Sequence, residues 1–421
     1  MALFLGAAPL SLANQSNTAA QQSPATAAVQ SKPAFSACDW AKNALKLFNA
    51  KRDGAENPWI QEFNLKFRAQ YQLGILDPAG GSDRIKEDAA GKDRAHNDEW
   101  RRFRLGAEAK VLNHFTLFAN FNIGGLDSSE KVSGGIWQEG QTEGVLDELF
   151  IRGKFEPVTF TLGKHKPAFI GEYRTSSAKI ITIERSALVN QLTAEKTWGL
   201  SFKNSDDKAV FGWEAGVWMN GLHDGTWAEP VFSSADNAMV GLSINYALKN
   251  NGRLYLDYMH SFTREGREQV GYEGPGARDV LALTWQAKYG KFHMMTEAMA
   301  GFNMIGTGGK TEGSENVFGI TVMPSYFLTD HVEAVFRYQL ASGSNGIQSD
   351  KRYYATNSTY SQVSDLLQGF YFGLNYYVCP KSPDTMKLML GAEYLNSAGK
   401  DADGNKGFTG WSFTSAVRMN F

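Results

Sequence analysis

The chain is poor in the residues that staple a fold, kink it, or carry it through a membrane as helices. Only two cysteines, Cys38 and Cys379, occur in 421 residues, which excludes a disulfide-dense scaffold and any site built of paired thiolates. An even count permits one disulfide in an exported protein. Cys379 lies in the turn "CPKSPD", on the side where the N-terminus should emerge, so a Cys38–Cys379 bond is expected. Twelve prolines are too few for a Pro-rich disordered chain. No apolar run of 18 residues or more follows the first 13 positions, which excludes transmembrane helices but not a barrel, whose strands show no such run. The net charge of -2 excludes the strongly basic balance of a nucleic-acid binder. Histidines number seven, scattered over loops, turns and strands. Catalysis needs a base beside a nucleophile, and only His260 followed by Ser261 offers a candidate pair. An outer-membrane barrel enzyme is therefore the weakest of the functional alternatives, and no metal or cofactor is expected.

Glycine and aromatics are what the chain has in plenty: 43 Gly, 27 Phe, 16 Tyr and 10 Trp, a composition that favours strands. The opening "MALFLGAAPLSLA" (1–13) reads as an export signal, with small residues Ser11 and Ala13 near its end. The Gln/Ser/Ala/Thr-rich stretch 14–37 reads as a disordered linker. In 38–61, "DWAKNALKLFNAKRD" places Trp40, Ala44, Leu47 and Phe48 on one face of a short periplasmic helix.

From 62 to 421 the period is two. In "FNLKFRAQYQLGI" Phe63, Leu65, Phe67, Ala69, Tyr71 and Leu73 share one face, and Asn64, Lys66, Arg68, Gln70 and Gln72 the other. Sixteen such segments can be counted, among them 99–112 and 332–342, most of a length that spans a bilayer when tilted. Every second connection is short, as at Leu112-Asn113-His114, Glu156-Pro157 and Thr329-Asp330-His331, and the others are long, Gly-rich and polar. This predicts an all-β protein: a transmembrane antiparallel barrel of 16 strands with short periplasmic turns and long extracellular loops, in the bacterial outer membrane. Sixteen strands enclose a lumen too wide for side chains to fill, so the polar face must line water and the apolar face must meet lipid. The terminal Phe421 is the handle expected for barrel-assembly machinery.

Alternation places eleven cations on the lumen face, Lys66, Arg68, Arg102, Arg104, Lys110, Lys203, Arg253, Lys288, Arg337, Lys387 and Arg418. Six acids share it, Glu108, Glu214, Asp257, Glu297, Glu333 and Glu393. A positive lumen inside low-dielectric walls concentrates anions. Between Lys166 and Thr197 runs the third long connection, "AFIGEYRTSSAKIITIERS" included, too long for an idle loop. Folded inward, it would bring Arg174, Lys179 and Arg185 to the narrowest point. Phe118, Tyr255, Tyr371 and Tyr377 on the lumen face keep open a general or saccharide-preferring channel, which would use an aromatic track.

Three stretches, "EWRRFRLGAEAKV", "DELFIRGKFEPVTFTLGKHKPAF" and "TSSAKIITIERS", resemble the phosphate-selective porin O/P family. The resemblance implies a homotrimeric sixteen-stranded porin that passes inorganic or small organic anions along an arginine ladder. It makes Arg68 and Arg102 ladder positions, Asp147 a constriction acid and Arg185 a loop cation. Arg101 belongs to the matching arginine pair, yet alternation points it away from the lumen. The family's phosphate-selecting lysine falls at Tyr173, beside Arg174.

Overall fold

The computed structural model describes residues 38, 43–54, 56–79, 96–123, 146–220, 238–249, 251–263, 274–305, 316–348, 360–361, 363–399 and 406–421. The expected signal (1–13) and linker (14–37) lie outside them, as does Trp40. Sixteen long strands follow one another in chain order: β1 Ile60–Pro78, β2 His96–Val111, β3 Phe115–Asn122, β4 Leu146–Phe155, β5 Val158–His165, β6 Thr197–Asn204, β7 Phe211–Met219, β8 Ala238–Leu248, β9 Gly252–Ser261, β10 Ala277–Tyr289, β11 Phe292–Met304, β12 Val317–Phe327, β13 Val332–Gln348, β14 Val363–Tyr377, β15 Met386–Ala398 and β16 Gly410–Asn420. Each pairs antiparallel with its sequence neighbours. The ring closes where β16 pairs with β1, from Gly410↔Pro78 to Asn420↔Arg68, so this is the closed barrel that the period-two pattern predicts. Connections 112–114, 156–157, 205–210, 249–251, 290–291, 328–331 and 378–385 are the short ones, at every second position.

The wall alternates as the sequence does. Leu254, Leu256 and Tyr258 are 36%, 46% and 40% exposed, whereas Asp257 among them is 1% exposed. The apolar side is thus the outer one, the arrangement that lipid and not water rewards. Among the described residues no helix is long and apolar enough to cross a membrane.

The N-terminal segment departs from expectation. Helical turns flank it at Asn43–Ala44 and Ala50–Asp53, but Lys46–Asn49 between them is a strand. It pairs with β1 at Lys46↔Asn64 and Asn49↔Glu62, and Leu65 N–H donates to Leu45 O at 2.7 Å. The cause is an open edge. β16 stops opposite Arg68, Phe67 exchanges backbone hydrogen bonds with Phe421, and the backbone of β1 below that point would lack partners on one side. That demand outweighs the helical spacing of Ala44, Leu47 and Phe48. Upstream, Cys38 is disulfide-bonded to Cys379 with Cα atoms 5.8 Å apart.

The connection 166–196 enters the barrel. It holds two short helices, α1 Gly171–Arg174 and α2 Ala187–Leu192, both largely buried. Its apolar side docks on an apolar patch of the lumen wall that includes Met239, Met259, Met299, Val317 and Ala341. Glycines make the room: a Cβ at Gly301 would lie 2.6 Å from Leu192, and one at Gly319 would lie 2.5 Å from Leu188.

Candidate functional site

The inward loop is held from all sides by the wall. At its start Ile170 N–H donates to Asp257 (2.9 Å), Gly171 N–H to Thr284 Oγ1 (3.2 Å) and Glu172 N–H to Glu297 (3.1 Å). Arg337 then pairs with Glu172 at 3.3 Å and Glu393 at 2.9 Å, and donates to Glu184 O at 2.7 Å. Farther round, Asn375 and Lys387 donate to Ile181 O and Ile180 O, Arg418 to Ile183 O, and Gln70 to Ser177 O. Buried carbonyls of an irregular segment need donors, and the lumen face of β1 and β13–β16 supplies them.

The sequence-predicted residues separate into three groups. Arg68, Arg102, Arg104, Asp147 and Arg185 come together where β1 and β2 face the loop. Arg68 donates to Ser177 Oγ at 2.9 Å and to Asn420 at 3.1 Å. Arg102, buried, donates to Gln70 at 2.9 Å, and Arg104 pairs with Asp147 at 2.8 Å. Arg185 spends its hydrogen bonds on the loop's own carbonyls, Glu172 O at 3.2 Å and Thr175 O at 2.8 Å. Its guanidinium lies 5.1 Å from the Tyr173 ring centre. Arg174 goes elsewhere: it pairs with Asp257 at 2.7 Å on the opposite wall and lies over Tyr255. Lys179 is mostly exposed, its ammonium 3.8 Å from Asp384 in the short turn 378–385.

Three cations join the first group that alternation and spacing did not single out. Arg101 was expected to face away, but the register passes from Gln70↔Arg102 to Tyr71↔Trp100, leaving Arg101 as the extra residue of a bulge. A bulge turns two successive side chains to one face, and Arg101 meets Glu184 of the loop at 2.8 Å. Lys166 lies over the Tyr173 ring at 4.1 Å and donates to Tyr173 O. Lys196, just before β6, bonds Asp147 and Glu148. Burial pushes the Lys166 ammonium well below the usual lysine range, and Arg185 and Lys196 add to the fall. Lys196 is lowered in the same direction by burial and by Arg104. Burial also pushes the Tyr173 phenol well above its usual range.

Seven cations, Arg68, Arg101, Arg102, Arg104, Lys166, Arg185 and Lys196, thus act on one another across a space shared with Asp147, Glu148 and Glu184. The lumen acids of the other walls are committed to structure. Asp257 and Glu297 anchor the loop, Glu393 holds Arg337 and Gln339, and Glu333 accepts from Ser325, Asn375 and Tyr377. Seven cations and three acids thus share one wall and the loop facing it, whereas Lys387 and Arg418 on β15 and β16 donate to loop carbonyls; a cation cluster of this kind can attract anions.

His260 and Ser261 cannot act as a pair, because successive strand residues face opposite sides. His260 Nδ1 meets Asp279 at 2.7 Å, while buried Ser261 accepts from Asn220 at 3.1 Å. Among the described residues no cluster of His, Cys, Asp and Glu is placed to hold a metal ion.

Comparison with known proteins agrees with this architecture. The family described as phosphate-selective porin O and P matches residues 79–407. No curated protein matches the chain. Among solved structures, OmpF of Salmonella typhi in complex with daunomycin superposes with a TM-score of 0.57 at 12% identity, covering 86% of this chain and 98% of its own. The outer membrane channel DcaP of Acinetobacter baumannii gives 0.49 at 11% identity, over 86% and 97%. OmpT of Vibrio cholerae gives 0.48 at 11%, over 86% and 98%. At 12% identity the likeness to OmpF is one of fold.

Proposed function

The chain belongs to the phosphate-selective porin O and P family, and we propose that this outer-membrane porin passes small anions, inorganic oxyanions among them, by diffusion through a basic constriction. It is a channel and not an enzyme in this reading, and the homotrimer that the family resemblance implies is its assembly. The observation that carries the reading is the gathering of Arg68, Arg101, Arg102, Arg104, Lys166, Arg185 and Lys196 around Asp147, Glu148 and Glu184, while Asp257 and Glu297 on the other walls anchor the loop. Charge of one sign at a narrowing acts over the range where water screens least, and so decides which ion passes. Among the ladder residues, Arg68 and Arg102 keep their guanidiniums on neutral acceptors, Ser177, Asn420 and Gln70, which leaves their charge available to a passing anion.

The experiment is the zero-current potential of the purified protein in a planar bilayer under a KCl gradient. A potential of the sign set by chloride supports the reading, and one set by potassium ends it. Adding inorganic phosphate to the same bilayer asks whether the oxyanion competes for the path. Chloride current falling at phosphate concentrations where sulfate leaves it unchanged would place phosphate among the preferred solutes.

A further inference from the structure

An aromatic track for sugars would need Phe118, Tyr255, Tyr371 and Tyr377 to be available, and three of them are taken. Tyr255 lies 4.5 Å beneath the Arg174 guanidinium, which Asp257 fixes there at 2.7 Å. Tyr371 is buried 5.4 Å from Arg337, and Tyr377 is buried against Glu333. Phe118 differs. It stacks on Phe150 of the neighbouring strand, with ring centres 5.0 Å apart and planes 23° apart, and both rings are only half-buried on the lumen face. The residue opposite Phe150 in the next strand is Gly163, which adds no side chain over the ring.

Charge brackets this pair along the pore axis. One row toward the long loops, Asn120 and Glu148 stand opposite each other, and there Lys196 and Arg104 hold Asp147. One row toward the short turns stands Arg152, its guanidinium 4.9 Å from the Phe150 ring centre. Arg152 is exposed to the lumen and donates to Thr161 Oγ1 at 3.2 Å. Among the described residues no carboxylate pairs with it. Exposed ring surface in a water-filled lumen gains nothing from phosphate or chloride. A solute with a flat ring and a carboxylate gains twice, from ring contact and from the fork of donors on an arginine.

We propose that Phe118, Phe150 and Arg152 form a subsite for aromatic carboxylates, the solute's ring against the phenylalanine pair and its carboxylate on Arg152. This rests on the anion-channel reading and names a solute class within it.

The test compares benzoate with cyclohexanecarboxylate, which has the same charge and carbon count but no π face, as blockers of chloride current in planar bilayers. The expected half-blocking concentration of benzoate is about threefold lower than that of cyclohexanecarboxylate, a ratio within the reach of one ring contact. In Phe118→Leu/Phe150→Leu the two blockers should become equal while chloride over potassium selectivity stays as it was. Arg152→Gln gives an independent arm with the rings intact: benzoate block should weaken several-fold. Equal block by the two acids in the unmodified protein would overturn the proposal, and so would a benzoate advantage that survives loss of both rings, or block unchanged in Arg152→Gln. Failure of the underlying reading is told apart beforehand, because it shows as potassium selectivity before any carboxylate is added.

Discussion

Ile170 donates its backbone N–H to Asp257 Oδ2 at 2.9 Å while its own φ is +64°, a conformation that a β-branched residue adopts only when its surroundings impose it. The chain turns here from the barrel wall into the lumen. A strained turn of this kind costs about 1–3 kcal/mol and persists because Asp257, Thr284 and Glu297 hold three successive N–H groups. Asp257 also pairs with Arg174 at 2.7 Å, so Asp257→Ala removes two anchors at once and leaves Arg174 with the more distant Glu214, at 3.9 Å, as its carboxylate partner. Its loss should loosen the loop: single-channel conductance should rise and open-channel noise increase, with the barrel's heat-dependent gel migration unchanged. Conductance and noise equal to those of the unmodified protein would show that the loop does not depend on this anchor.

Arg185 and Lys179 belong to the same loop but to different surroundings. Coulomb attraction at about 4 Å is worth ~1 kcal/mol in bulk water and ~4 kcal/mol at an effective dielectric near 20. Arg185 is 7% exposed among cations, whereas Lys179 is exposed beside Asp384. Arg185→Gln should lower the chloride over potassium permeability ratio about tenfold, corresponding to ~1.4 kcal/mol, and Lys179→Gln should change it by less than about twofold. Reversal potentials in KCl gradients decide, and equal effects would deny the loop cation its place in the filter.

Selectivity should also depend on pH. Burial and two neighbouring cations disfavour the charged form of Lys166, so it releases its proton at lower pH than a surface lysine. Anion preference should therefore decline as pH rises through a range below that in which surface lysines titrate. The folded protein gives up this proton before the unfolded chain does, so the same rise in pH favours the folded state. Lys166→Arg keeps its charge and should show a smaller decline in reversal potential across that range. An identical titration in both proteins would assign the effect to another group.

The Cys38–Cys379 bond fixes the N-terminal segment to the turn 378–385. Cross-links across long stretches of chain contribute about 2–4 kcal/mol. Cys379→Ser should leave conductance unchanged and make the backbone at Lys46 and Lys51 more open to trypsin, as measured by the rate of cleavage in detergent. Equal rates would show that strand pairing with β1 alone holds the segment.

Much of the barrel was legible because a strand in a membrane writes its two faces in alternate residues. Strand number and the alternation of loop lengths follow from that rule, and only the ends move: β2 begins at His96 and not at 99, and β13 runs to Gln348 and not 342. The cation cluster was legible in part. Arg68, Arg102 and Arg104 stand on a regular ladder, so alternation found their face. Arg101 stands on a bulge, where counting by two fails. Inside the loop no period exists, so Arg174, Lys179 and Arg185 could be placed in the lumen together but not told apart. Lys166 and Lys196 stand just past the end of β5 and just before β6, where a side chain's direction is set by the turn of the chain and not by the pleat. Lys46–Asn49 reads as helix because its strand partner, the open edge below Phe421, is created by the far end of the sequence.

That far end gives the N-terminal segment a mechanical meaning. A closed ring of strands has one seam, here between β16 and β1, and every other joint is backed by a short or long connection of the chain itself. Cys38 is bonded covalently to Cys379, beyond β15 on one side of the seam, and Lys46–Asn49 is hydrogen-bonded to β1 on the other. It is a strap laid over the join of a hoop. Parting the first and last strands at that rim requires either cutting a covalent bond or peeling a strand, so the one joint without a connecting loop is reinforced from outside the ring.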